Sequence, residues 1–395
     1  MLTLIPRLNF KYSIFDAFIA LRSLFKKEFN DEPLKQILSC KSLLYFNHAR
    51  TALRVVLSGI GLPSNAKVGL MTFNCLTVLK SIRMSGNYPV FIETTNDFQI
   101  DLEDLDKKIK DIDVLILNHM FGIPNHIQLI KTKYPNLIII EDCSHSFLTK
   151  INNKYSGTFG DFSIFSIGHA KFPSIADGGF LVINNQKYFE SIFLEYLKLV
   201  KPSIKNEISS ILKSLALNFL HNPIIYKNLT LPILKGIDNK HDLGGKYKQN
   251  ESMILKSSLG LFLFKIKEYQ KSLNKQKGNG QILEFTLNKK EDEFYIPQLS
   301  MLKSNYFMVP ALVNNRNELI VLFRQKGIEI GMHFSNSINW AVNFGYQIGD
   351  CPNSESIANR ILTFPCHYNL STNVINKMVK ILNDYIYEDS KKTLD

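Results

Sequence analysis

NLIIIEDCSHSF (residues 136–147) passes from a short apolar run into an acidic pair, Glu141 and Asp142. A wholly apolar run of this length, rich in β-branched residues, reads as a strand buried on both faces, the kind found in parallel sheets. Asp142 then sits at the carboxyl end of the strand, where sheets of this class bind ligands. Working outward, the pattern recurs in KVGLMTF (67–73), YPVFIET (88–94), VLILNH (114–119), FSIFSI (162–167) and GGFLVIN (178–184). His119 ends one of these. Between them RTALRVVLSGI (50–60), NCLTVLKSIRMSG (74–86), DLEDLDKKIK (101–110) and HIQLIKTKY (126–134) read as helices. Strands alternating with helices predict an α/β domain whose central sheet is mainly parallel and covered on both faces.

The character changes after Asn185. Residues 187–235 read as helical and unusually apolar, notably SSILKSLALNFLHNPIIYKNLTLPIL (209–234). Lys213, His221 and Asn222 interrupt that stretch, so it is too broken to span a bilayer. Burial in a subunit interface is the first reading; shallow contact with a membrane surface is the second. A polar loop (236–250) and a helix (252–275) follow, then a smaller α+β region. The expected organisation is an N-terminal amphipathic helical segment (1–45), a large α/β domain (46–250), and a linking helix with a smaller C-terminal α+β domain (251–395).

The 395 residues carry a net charge of +12, dispersed along the chain without a basic tail or an RNP-like run, which argues against nucleic acid. The five cysteines show no CxxC and no zinc spacing; they read as free thiols suited to a reducing, cytoplasmic compartment, and no metal site is expected. The first 29 residues are broken by Arg7, Lys11 and Asp16 and read as an amphipathic helix, not a signal peptide.

The candidate chemistry centres on Lys171, in GTFGDFSIFSIGHAKFPSIADGGFLVINN (157–185). A lysine doing covalent work attacks a carbonyl and is helped by a pocket that lowers its pKa; pyridoxal phosphate is the commonest cofactor of this kind. That cofactor needs a carboxylate for its ring nitrogen, donors at a helix start for its phosphate, and a flat cover for its ring. Asp142 can serve the nitrogen. Arg50 and Thr51 open a helix and Ser166 lies five residues before the lysine, so all three can face the phosphate. Phe73 ends a strand and can stack on the ring. Taken singly, each has an ordinary reading: a surface lysine, a turn aspartate, a strand serine, a core phenylalanine. Their order in the chain is what carries weight.

That order resembles the DegT/DnrJ/EryC1/StrS family of sugar aminotransferases, which have the type I fold of pyridoxal-phosphate enzymes. EDCSH (141–145), GTFGD (157–161), FSIGHAK (165–171) and GG (178–179) resemble its core motifs. ARTAL (49–53), MTFNC (71–75), PVFIE (89–93), NHMFG (118–122) and CPNSESIANRILTFPCH (351–367) resemble its flanking segments, so the likeness runs from about residue 45 to 385. The resemblance implies that Lys171 bonds the cofactor and shuttles protons, Asp142 pairs with the pyridine nitrogen, and His145 sits near the ring's phenolic oxygen. It further implies that Ser166, Arg50 and Thr51 hold the phosphate and Phe73 stacks on the ring. It implies a homodimer whose partner subunit adds a polar group near the phosphate, with YKQN (247–250) close to that region. The implied reaction moves an amino group from glutamate to a keto-sugar, most plainly a nucleotide-linked one, for surface polysaccharide or amino-sugar biosynthesis. Ala49-Arg50 and the segment IGHA (167–170) depart from common members and resemble a side branch found among cell-surface polysaccharide genes. A small phosphorylated ketone as acceptor, a sugar dehydratase (with His169 beside the lysine) and a non-catalytic homologue stay open as alternatives.

Overall fold

A computed structural model describes residues 3–8, 10–232, 250–289 and 294–392. Strands β1 (Ser42–Phe46), β2 (Lys67–Met71), β3 (Tyr88–Ile92), β4 (Val114–Asn118) and β5 (Ile138–Asp142) precede a small hairpin, β6 (Lys150–Ile151) and β7 (Lys154–Tyr155). β8 (Phe162–Ser166) and β9 (Gly179–Ile183) complete a seven-stranded sheet of order β1-β9-β8-β5-β4-β2-β3. The five strands from β3 to β8 run parallel; β2, β4, β5 and β8 are buried along most of their length, while the edge strand β3 buries only Phe91 and Ile92. Two pairings depart from the parallel expectation: β9 is antiparallel to β8, and β1 to β9. The segment between β8 and β9 (167–178) carries no helix, the element that usually makes the crossover of a parallel return. β1 is a strand that the hydrophobic pattern did not announce.

Alternation along the strands sorts side chains onto two faces. Val68, Leu70, Val114, Ile116 and Ile140 pack beneath the helices Ala49–Gly59 and Leu76–Met84. Leu115, Leu117, Ile139 and Phe165 join the other face, whose core continues into a second, antiparallel sheet of β10 (Phe294–Tyr295), β11 (Val309–Val313) and β12 (Ile361–Phe364). The helices Tyr269–Leu287 and Thr372–Lys392 pack together beside that sheet.

The apolar stretch after Asn185 forms the helix Ile204–Leu220, started by a capping box between Ser203 and Asn206. Its buried Glu207 accepts from the Lys256 and Ser257 amides and so caps the helix Lys256–Lys265. The helix Ile14–Ser23 lies against the same pair, with Asp16 2.6 Å from Lys265 Nζ. The N-terminal segment is held between this inserted stretch and the second sheet's domain. Leu4 N–H donates to Pro223 O and Tyr12 N–H to Asn218, while Ile5 pairs with Ile328. Phe15, Phe18, Phe25, Ile204, Leu212 and Phe219 are all exposed. Among the described residues no helix is long and apolar enough to cross a membrane. Of the segment YKQN, residues 247–249 lie outside the described residues.

Candidate active site

A cavity of about 370 Å³ opens where β2, β4, β5 and β8 end, at the carboxyl edge of the sheet. Successive side chains on β5 face opposite ways, which separates the acidic pair. Asp142 turns to the cavity. Glu141 turns inward, where it is fully buried and accepts from the backbone N–H groups of Gly157, Phe159 and Gly160 at 2.8, 2.8 and 2.6 Å. Those residues form the turn leading into β8. Gly157 has φ +90°, and an added Cβ there would sit 2.3 Å from the Phe165 ring. The GTFG motif is therefore a cradle for the Glu141 carboxylate. Burial by itself pushes Glu141 up, but the His119 hydrogen bond and the Gly160 and Gly157 amides outweigh it and hold its pKa below the ordinary value.

Asp142 is fixed by a chain of amides. Asn74 Nδ2 donates to Asn118 Oδ1 at 2.8 Å, and Asn118 Nδ2 donates to Asp142 Oδ2 at 2.7 Å. The Ser144 N–H donates to Asp142 Oδ1 at 3.0 Å. A carboxylate offers about four lone-pair sites, so further donors can be accepted from the cavity. Lys171 lies in the turn after β8, its N–H donating to Gly168 O and its Nζ 5.5 Å from the centre of the Phe307 ring. Burial lowers its pKa, against the opposing pull of Cys75 and Asp142, which raises the share of free amine.

His145 accepts the Phe121 N–H on Nδ1 at 3.3 Å, so its ring proton is on Nε2. Its ring is stacked on Phe307, with centroids 4.2 Å apart, and lies near-parallel to Phe334 at 5.9 Å. Burial, with Lys171 and His333 nearby, pushes its pKa well below the ordinary range and keeps it neutral. Ser166 and Arg50 are also on the wall, Arg50 at the start of the helix Ala49–Gly59, where His48 makes no capping hydrogen bond. Gly179 explains the Gly-Gly motif: an added Cβ would lie 2.3 Å from the Ala49 nitrogen, so only glycine lets β9 approach this helix start.

Two expected residues are placed elsewhere. Phe73 is fully buried and absent from the wall; its ring packs with Phe98, Phe121 and Phe334. An aromatic core of that size stabilises the ring by about 1.5–3 kcal/mol over exposure, and Asn74 faces the site instead. Thr51 is also buried, its hydroxyl donating to Asn47 Oδ1 at 2.9 Å, because it lies on the core side of its helix. The structure adds residues that the motifs did not indicate: Asn74, Asn118, His333, Phe334 and Arg7. Asn118 opens the quoted NHMFG segment and could have been suspected; nothing around Arg7 in the sequence marks it.

His119, Glu141 and Cys143 bring possible metal-ligand atoms within 4.8 Å of one another. His119 Nδ1 accepts the Asn125 N–H, so Nε2 carries the proton and donates to Glu141, which leaves no ring lone pair for an ion. The cluster is a hydrogen-bonded support. The cavity residues do fit pyridoxal phosphate: an amine with lowered pKa, a carboxylate with free lone pairs, and a helix start beside Arg50 and Ser166 for an anion.

Known proteins resemble this chain in sequence and in fold. The GDP-perosamine synthase of Escherichia coli O157:H7 is 29% identical over 148 residues, covering 36% of this chain and 41% of that protein. The GDP-perosamine synthase of Vibrio cholerae is 30% identical over 154 residues, 38% of this chain and 42% of that protein. The aligned stretches thus span about two fifths of these relatives. Helicobacter pylori PseC, an aminotransferase involved in the biosynthesis of pseudoaminic acid, superposes with a TM-score of 0.74 at 18% identity, over 96% of this chain and 98% of that one. An aminotransferase from Psychrobacter cryohalolentis gives 0.76 at 15% identity, over 96% and 98%. The fold is thus the α/β fold of the sugar aminotransferases. Residues 25–383 match the DegT/DnrJ/EryC1/StrS aminotransferase family, and the chain belongs to it.

Proposed function

We propose that this protein is a pyridoxal-phosphate-dependent aminotransferase that transfers an amino group from glutamate to a nucleotide-linked keto-sugar. The observation that carries the reading is the placement of Lys171 and the amide-held Asp142 on one cavity. Pyridoxal phosphate, when bound, supplies the carbonyl that takes up the amine and a ring that withdraws electrons. Asp142 keeps the ring nitrogen protonated, and Asn118 keeps Asp142 in place. Lys171, whose burial favours the free amine, carries the cofactor and moves a proton at the donor's α-carbon. His145, neutral with its proton on Nε2, donates toward the ring's phenolic oxygen. Ser166, Arg50 and the helix start hold the phosphate.

The acceptor class is supported by charge. Arg7 and Arg50 face a cavity whose one acidic lining group is Asp142, a balance suited to a cofactor phosphate and a diphosphate-bearing sugar together. The names of the relatives, GDP-perosamine synthase and an aminotransferase of pseudoaminic acid biosynthesis, support amino-sugar synthesis, and surface polysaccharide as its destination belongs to the proposal. A homodimer completing the phosphate site and a cytoplasmic location belong to the same reading, the latter supported by five free cysteines. Borohydride reduction of the purified protein should fix a pyridoxyl mass on the Lys171 peptide, and Lys171→Ala should abolish the visible absorption band. A label on another lysine overturns the reading. Incubating the aminated form with keto-sugar nucleotides and with small phosphorylated ketones then separates the two acceptor classes.

A further inference from the structure

Arg7 reaches the cavity from the N-terminal segment, far in sequence from every motif above. Its backbone N–H donates to Glu329 Oε2 at 3.1 Å, and Tyr226, from the inserted helical stretch, donates its hydroxyl to the same oxygen at 2.8 Å. Arg7 Nε lies 3.8 Å from the other oxygen, Oε1, an ion pair without a hydrogen bond that leaves the donors of the guanidinium open. The guanidinium makes no hydrogen bond to any described residue. Its position is nonetheless a built one. Nη1 lies where Gly331 has no side chain: an added Cβ would come within 1.9 Å of it. The Gly331 backbone is itself fixed by exchanging both hydrogen bonds with Thr363, so the room is a permanent feature of β12's edge.

His333 follows two residues later and faces the same cavity. Its Nε2 is buried with no hydrogen-bond partner among the described residues. Buried polar atoms are almost always paired, so a ligand atom is the natural partner for this one. Burial, Lys171 and Arg7 all press its pKa well below the ordinary range, so the ring stays neutral. Arg7 also lines a small adjoining cavity together with Lys171, so it stands on the lysine's side of the site. Arg50, at the helix start, is the cation assigned to the cofactor phosphate, which leaves Arg7 for another group.

We propose that Arg7 and His333 form an anion subsite that takes the oxyanion group of a substrate, a carboxylate or a phosphate. This rests on the reading of the cavity as an aminotransferase site. An arginine fork matches both groups in geometry, and the neutral imidazole supplies one further hydrogen bond. The two sources are the carboxylate of the amino donor and the diphosphate of the acceptor.

Calorimetric titration of the full chain loaded with pyridoxal phosphate tests it, with glutarate and uridine diphosphate as probes. Arg7→Gln should weaken one of them about tenfold or more, the scale of a lost charge-assisted pair. Arg7→Lys should restore part of that affinity, since it keeps the charge without the fork. Gly331→Ala, which fills the guanidinium's place, should weaken the same probe. A loss confined to glutarate assigns the donor carboxylate; a loss confined to uridine diphosphate assigns the acceptor. Unchanged affinity for both probes in Arg7→Gln overturns the subsite. Failure of the wider reading is seen separately, as a protein with no visible cofactor band, and the same titrations are then read on the chain as purified.

Discussion

Replacing Glu141 with glutamine removes one charge and changes almost no volume, yet it should be among the most destabilising single changes available in this chain. The carboxylate receives four hydrogen bonds: Phe159 and Gly160 N–H groups on Oε1, Gly157 N–H and His119 Nε2 on Oε2. Glutamine keeps one oxygen and presents an NH₂ at the other position. In either amide orientation two donors meet two donors. His119 cannot relieve this by moving its proton, because Nδ1 is held by the Asn125 N–H. At about 1.5–3 kcal/mol for each hydrogen bond to a charged group, the loss is about 3–6 kcal/mol, a large share of a typical 5–15 kcal/mol stability. Urea unfolding should show the midpoint falling with the slope unchanged. The charge also makes a pH prediction. A carboxylate whose folded pKa is depressed contributes stability that is present above its unfolded pKa, about 4.3, and is lost as pH falls through the lower folded value. The difference between wild type and Glu141→Gln should therefore be constant near neutrality and shrink only below about pH 4. A loss under about 1 kcal/mol, or a difference that shrinks already at pH 6, would refute the cradle argument.

Further tests bear on the site and the surface. Asn118→Ala should leave the fold and visible band in place but slow the half-reaction with glutamate about ten- to a hundredfold, as one hydrogen bond to the Asp142 carboxylate is lost; stopped-flow absorbance decides, and an unchanged rate rejects the positioning role. Arg50→Ala should raise the dissociation constant for pyridoxal phosphate about tenfold or more, read by dialysis and reloading, with no change if the side chain leaves the phosphate alone. Gly179→Ala should cost about 1–3 kcal/mol through overpacking against Ala49 and shed cofactor as the helix start shifts. For the exposed apolar stripes, sedimentation should give twice the chain mass, and Phe18→Ser with Leu212→Ser should return monomer if these faces meet in a dimer. Salt-resistant flotation of the double variant's parent with anionic liposomes would assign them to a membrane surface instead.

Much of the parallel sheet could be read directly, because a strand covered on both faces must be apolar throughout, and LIII before Glu141 or VLIL before Asn118 has no other comfortable place in water. Lys171, Asp142, His145, Ser166 and Arg50 could be picked out as well, since the chain order of motifs reflects local turns: the GTFG cradle, the Gly-Gly beside a helix start, the lysine turn. The direction of each ring and hydroxyl was not legible. Phe73 and Thr51 carry suitable chemistry, but the bend that follows β2 and the rotation of a helix turn both into the core, where burial wins. β1 depends on pairing with β9 across more than a hundred positions, which no local pattern encodes, and the antiparallel return of β9 onto β8 is set by the turn between them and not by the apolar runs themselves. Arg7 is the clearest case of a residue decided by tertiary structure alone. Its position depends on Pro223 and Asn218 holding the N-terminal segment, on the hydrogen bond from Tyr226 to Glu329, and on Gly331 having no Cβ, four contacts that meet only after the chain has folded.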